Sequence, residues 1–161
     1  MTIKEKISSP DKLRHVRGSM PVQHIYTAGV ALDPFFFRLR DKGVFTGTKC
    51  DKCKLVYVPP VAFCERCFSR LNVDEPVTVS DEGALESFTV SHMDCDGKPL
   101  REPAVFGLVR LNGASTTILH RILCAPDKAS IGMKVRAKLL PRVRRTGAIT
   151  DIEGFVPIKA K

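Results

Sequence analysis

At 161 residues, with 43% hydrophobic and 27% charged side chains, the chain has the composition of a soluble globular protein of one or two small domains, each marginal in core size. No apolar run approaches the ~18 residues of a membrane span, which argues against a membrane protein. The formal net charge of +9 calls for an acidic partner, whether nucleic acid, an anionic protein surface or a phosphorylated small molecule.

Residues 1–20 carry Lys4, Lys6, Lys12, Arg14 and Arg17 with few apolar anchors, so a mobile basic arm is expected. His15 and His24 read as solvated side chains, and Pro21 to Tyr26 as an extended piece. Met1 to Arg17 lacks the apolar stretch of a secretory signal, so a cytoplasmic chain with reduced cysteines is expected. A helix follows. Asp33 is the expected cap, Pro34 suits the first helical position, Phe35, Phe36 and Leu39 supply the apolar face, and Gly43 ends it. Phe35 to Phe37 are too many aromatics for one stripe of so short a helix. Either all three pack under the next module or part of the face docks on another subunit.

Val44 to Thr48 reads as a strand leading to two Cys-x-x-Cys pairs, Cys50/Cys53 and Cys64/Cys67. Two residues between paired cysteines let both thiolates turn toward one point, and two such knuckles supply a tetrahedral Zn²⁺ site. Between them, Lys54 to Phe63 reads as a strand closed by Pro59-Pro60, the layout of a zinc ribbon. The same thiolates suit a rubredoxin-type iron, and disulfides would need an oxidising compartment. Four thiolates leave no open coordination position, so the expected zinc is structural. Phe68 to Val73 leaves the second knuckle, and Asp74-Glu75-Pro76 reads as a hinge.

Five candidate strands follow, Ala84 to Met93, Ala104 to Leu111, Ser115 to Leu123, Met133 to Leu140 and Ile152 to Ile158, separated by Gly, Pro, Asn and Asp. Alternation is clearest in Met133 to Leu139, with Lys134, Arg136 and Lys138 facing out. Leu111-Asn112-Gly113-Ala114 predicts a type I′ hairpin turn. Five strands in this length suggest a closed OB-fold barrel. The expected architecture is therefore mainly β, with an arm and extended segment at 1–33, a helix plus zinc ribbon at 34–75 and a five-stranded OB-fold at 76–161.

No catalytic residues are assigned. His120 and Cys124 lie near each other in sequence, but nothing local completes a nucleophile with an oriented base. Cys95 reads as an incidental thiol, and His92, Asp94 and Asp96 as a solvated turn before Gly97. Nucleophile elbows, phosphate-binding glycine loops and dinucleotide fingerprints are missing. Arg136 on its strand, with Arg142, Arg144 and Arg145 in the following loop, forms a basic segment. It is either a solvated or salt-bridged face or a phosphate-recognition site, for which Arg has the bidentate geometry.

In this order the pieces resemble the acyl-CoA-associated OB-fold proteins with a rubredoxin-like zinc ribbon. The resemblance is carried by Gly47 to Cys53, Pro59-Pro60, Cys64 to Cys67, Gly83 to Val90, Pro103 to Gly113, Ile131 to Val135 and Phe155-Val156-Pro157. It departs at Lys54, where a glycine is frequent, at Glu65, where a proline is common, and at Arg110, a frequently acidic site. What the resemblance implies is a non-catalytic subunit, without activity of its own, that accompanies a thiolase-like catalytic subunit in a hetero-oligomer. It also implies help in holding an acyl-CoA, with Arg136, Arg142, Arg144 and Arg145 as candidates for the CoA phosphates, and one branch points to anaerobic toluene breakdown. The alternative is a nucleic-acid-binding zinc ribbon and OB-fold protein, disfavoured because Trp is absent and Tyr is limited to Tyr26 and Tyr57. An iron-carrying redox ribbon and a free-standing acyl-CoA enzyme are further alternatives, the latter disfavoured by the missing catalytic set.

Overall fold

Phe35 and Leu39 lie one helical turn apart and both are fully buried, which fixes the packed face of α1 (Gly29–Lys42). The computed structural model describes residues 27–158, so the expectations for the basic arm, His15, His24 and the piece from Pro21 to Tyr26 lie outside the described residues. The helix begins earlier than the sequence predicts. Ala28 is the N-cap residue, without a side-chain cap, and Pro34 lies inside the helix rather than opening it. Pro34 lacks the N–H that would reach the carbonyl of Val30, and Val30 is exposed, so water can take that carbonyl. Asp33 therefore caps nothing. The C-terminus is as expected: Gly43 is left-handed at φ 68°, and its N–H donates to the Leu39 carbonyl.

A three-stranded antiparallel sheet follows, in the order β2 (Val56–Tyr57), β1 (Phe45–Lys49), β3 (Val77–Val79). The strand between the knuckles is only two residues long, and the segment leaving Cys67 makes a single bridge, Phe63 with Arg70. Strand β3 is not among the strands expected from the sequence, and it pairs with β1 of the ribbon although it lies in the 76–161 segment expected to form the barrel. Gly47 is required by the close approach of β2, because a Cβ there would lie 2.5 Å from the Tyr57 carbonyl oxygen.

The five expected barrel strands are all present, as β4 (Glu82–Met93), β5 (Pro99–Leu111), β6 (Ile118–Ile122), β7 (Lys134–Leu139) and β8 (Ile152–Pro157). They close in the order β4-β5-β6-β8-β7, with β6 and β8 parallel. Closure leaves no unpaired sheet edge around the barrel. Alternation along β7 is as read, with Val135 buried and Lys134, Arg136 and Lys138 exposed. The turn after β5 differs from expectation. Only Gly113 has a positive φ, at 93°, so the type I′ form, which needs two such residues, is not made. The N–H of Ala114 closes the turn on the Leu111 carbonyl, while the Asn112 N–H goes to Glu82.

One apolar core runs from Phe35, Leu39, Phe45 and Val58 into Leu85, Val109, Val135 and Phe155 of the barrel. The ribbon has its own small cluster of Cys50, Tyr57, Cys64 and Leu71. Among the described residues, no helix is long and apolar enough to cross a membrane.

Candidate metal centre and the surfaces around it

Each knuckle turns because its backbone reverses just after the second cysteine. The Lys54 N–H donates to the Cys50 carbonyl at 2.7 Å, and the Phe68 N–H to the Cys64 carbonyl at 2.8 Å. Both donors take left-handed backbone, Lys54 at φ 59° and Phe68 at φ 56°. Glycine is the residue best suited to that conformation, and a side chain there costs roughly 1–2 kcal/mol. The frequent glycine replaced by Lys54 thus has a backbone explanation.

The four sulfurs of Cys50, Cys53, Cys64 and Cys67 lie within 4.8 Å of one another, and the Cys50 and Cys67 sulfurs are 3.6 Å apart. A tetrahedron with Zn–S bonds near 2.3 Å has edges of about 3.8 Å, so the donor set fits zinc in size and chemistry. Surrounding groups orient the thiolates. Tyr57 Oη lies 3.1 Å from the Cys64 sulfur, Ser69 Oγ 3.4 Å from that of Cys67, and the Cys53 N–H donates to the Cys50 sulfur. The Tyr57 hydroxyl draws the Cys64 thiol down to about 6, while the Tyr57 phenol is pushed up to about 12 beside it. These are the outer contacts that hold metal ligands in place. A bound zinc would supply folding energy here, because four thiolates fill its coordination shell.

The ribbon is fastened to the barrel through the β5–β6 connection. Val56 N–H donates to Ser115 Oγ and Ser115 N–H to the Val56 carbonyl; Thr116 Oγ1 accepts from Val58 N–H and donates to the Val58 carbonyl. Inside the ribbon, Thr48 Oγ1 both accepts from Val61 N–H and donates to the Val61 carbonyl. No local signal in the sequence pairs Ser115 and Thr116 with residues 59 and 58 positions away.

The basic residues fall into different environments. Arg136 is paired with Glu82 and lies near Asp81, and Lys138 is 3.0 Å from Glu153. Arg145 is half-buried: its Nε donates to the Leu140 carbonyl at 2.7 Å, and its Nη1 reaches the Leu39 and Arg40 carbonyls at the end of α1. Arg142 and Arg144 are exposed on a short 3-10 turn. That loop is held from beneath by Asp151, a buried carboxylate that accepts from the N–H groups of Thr146 and Gly147, both at 2.8 Å. Sequence reasoning missed Asp151; its only cue was an acid four residues beyond a Thr-Gly turn.

The phenylalanines of α1 divide: Phe35 is buried, Phe36 is half-buried, and Phe37 is exposed beneath the Arg40 guanidinium, 5.1 Å from its ring centre. His120 packs edge-on against Phe155, and burial lowers its pKa. Cys124 packs against the core, where burial pushes its thiol up, and among the described residues no hydrogen bond joins it to His120. Cys95 is exposed at the tip of the β4–β5 hairpin.

Residues 37–74 match the family described as the ChsH2 rubredoxin-like zinc ribbon domain, and residues 76–140 the ChsH2 C-terminal OB-fold domain. A DUF35 domain-containing scaffold protein of Methanothermobacter thermautotrophicus is 28% identical over 102 residues, 63% of this chain and 75% of its own. Among solved structures, a DUF35 protein of unknown function from Sulfolobus solfataricus superposes with a TM-score of 0.55 at 27% identity, covering 65% of this chain and 74% of that one. The structure described as an Ltp2-ChsH2(DUF35) aldolase gives 0.56 at 25% identity, covering 82% of this chain and 98% of that one.

Proposed function

As this chain belongs to the ChsH2 (DUF35) family of OB-fold proteins with a rubredoxin-like zinc ribbon, we propose that it is a non-catalytic, cytoplasmic subunit of an acyl-CoA enzyme complex. Its partner in this reading is a thiolase-like catalytic subunit, which contributes nucleophile and base while this chain contributes a rigid docking scaffold. The observation that carries the reading is the agreement, over 82% of this chain, with the protein described as an Ltp2-ChsH2(DUF35) aldolase, joined by the scaffold description of the methanogen relative. The hydrogen bonds of Ser115 and Thr116 that fasten the ribbon to the barrel support it as well, because a scaffold needs fixed geometry between its surfaces.

The chain's layout is also similar to that of the small subunit of benzoylsuccinyl-CoA thiolase, and anaerobic toluene breakdown is the finer form of the proposal. Within it, the exposed cations of the loop after β7, Arg142 and Arg144, are better placed for CoA phosphates than Arg136, which is paired with Glu82, or Arg145, which holds α1. Affinity purification of this chain from its source cells, followed by co-expression with the thiolase-superfamily protein recovered with it, tests the proposal. A stable complex is expected, with acyl-CoA turnover that neither subunit shows alone. Turnover by this chain when rigorously freed of partners would overturn the non-catalytic assignment, and absence of any complex would overturn the scaffold role.

A further inference from the structure

The second knuckle displays two large apolar side chains: Phe68 is 80% exposed and Phe63 is 59% exposed. Phe68 does so from left-handed backbone, a conformation in which glycine would be unstrained. Neither packing nor backbone geometry accounts for a phenylalanine there, so the ring itself needs a use. Beside it lies a groove of about 250 Å³ between the knuckles, lined by Lys49, Lys52, Ser69 and Arg70 among others. Phe68 adjoins Ser69 in the chain and Phe63 bridges to Arg70, so both phenylalanines neighbour residues that line the groove.

Charge decides what fits. Lys49, Lys52, Lys54, Arg66 and Arg70 are all exposed, and among the described residues none takes part in an ion pair. Arg110, Arg136 and Lys138 of the barrel, in contrast, are each paired with a glutamate. A second copy of a chain of net charge +9 would be repelled, and residues 1–20 bring Lys4, Lys6, Lys12, Arg14 and Arg17 against only Glu5 and Asp11. Nucleic acid is disfavoured by the want of a longer series of stacking rings.

We propose that this knuckle surface is where an acidic protein surface docks, with Phe68 inserted in an apolar pocket of the partner and a partner carboxylate held by Arg70 and Lys52. This rests on the reading of the chain as a scaffold and names the face that the catalytic subunit grips. An aromatic anchor beside an arginine, rimmed by further charges, is the usual composition of an interface hot spot.

The test uses the full zinc-loaded chain, with the thiolase-superfamily protein that copurifies with it from its source cells as probe, measured by calorimetry. Phe68→Gly and Arg70→Glu should each weaken binding by at least about tenfold while retaining one zinc. Phe68→Gly should also leave thermal stability unchanged or raised, a separation that a merely structural Phe68 would not give. If the wild type binds and both variants match it, this docking face is wrong while the scaffold reading stands. If the wild type does not bind, both fall. Tight binding of a single-stranded oligonucleotide that Phe68→Gly abolishes would assign the surface to nucleic acid and overturn the proposal.

Discussion

The Arg145 guanidinium donates to the Leu39 carbonyl at 3.3 Å, across 106 residues of sequence, and ties the end of α1 to the loop after β7. A cation at a helix C-terminus meets carbonyls with spare acceptor capacity and the negative end of the helix dipole. Replacing Arg145 by Met should lower stability by about 1–2 kcal/mol, as expected for hydrogen bonds from a charged donor. Arg142→Ala should stay within about 0.5 kcal/mol of wild type, since its side chain is exposed. Urea unfolding of the two variants checks this; equal stabilities would refute the latch.

Metal content is expected at one zinc per chain, because only Cys50, Cys53, Cys64 and Cys67 converge among the described residues. Cys64→Ser should lose the metal and expose the ribbon to protease, as metal binding energy is folding energy in so small a cluster. Elemental analysis that returned iron, or a protease-resistant ribbon in the variant, would contradict the structural zinc.

Lys54→Gly should stabilise the zinc-bound protein by about 0.5 kcal/mol, relief of left-handed strain slightly exceeding the backbone entropy that glycine loses on folding. Gly47→Ala should do the opposite and cost well over about 1 kcal/mol, because the added carbon meets the Tyr57 carbonyl. Thermal melts of both variants at saturating zinc check the pair of signs.

His120 should make stability depend on pH. Burial lowers its folded pKa below the value in the unfolded chain, near 6.5, so the unfolded state binds the proton more readily. The stability tied to neutral His120 is therefore present above about pH 6.5 and is lost as pH falls through the lower folded value. Comparing denaturant midpoints of wild type and His120→Gln between about pH 7.5 and 5 should show a shallower decline in the variant. Parallel curves would place the dependence elsewhere.

Neutralising Arg142 and Arg144 together should either raise KM for the acyl-CoA in the assembled complex or weaken assembly, and parallel measurement of turnover and association tells these apart. Both side chains are exposed, so folding should be unaffected. Unchanged values of both would remove this loop from the CoA reading.

The elements legible in the sequence were those specified by neighbours in the chain. Two residues between cysteines are enough to aim paired thiolates, a glycine is enough to end α1 at Gly43, and alternation is enough to set the buried face of β7 at Val135. Other features depended on partners far away. Asp33 looked like a cap, yet α1 continues upstream of it, and local propensity gives no decisive stop there. Phe35, Phe36 and Phe37 are identical in chemistry; only the placement of the barrel core decides that the first is buried and the last exposed. Arg136 and Arg145 looked like part of one basic segment with Arg142 and Arg144, until closure of the barrel brought Glu82 to the first and the end of α1 to the second. Local spacing determines the direction of a side chain relative to its own element. What that side chain meets is set by long-range packing, and that decides whether a cation is spent inside the fold or left for a partner.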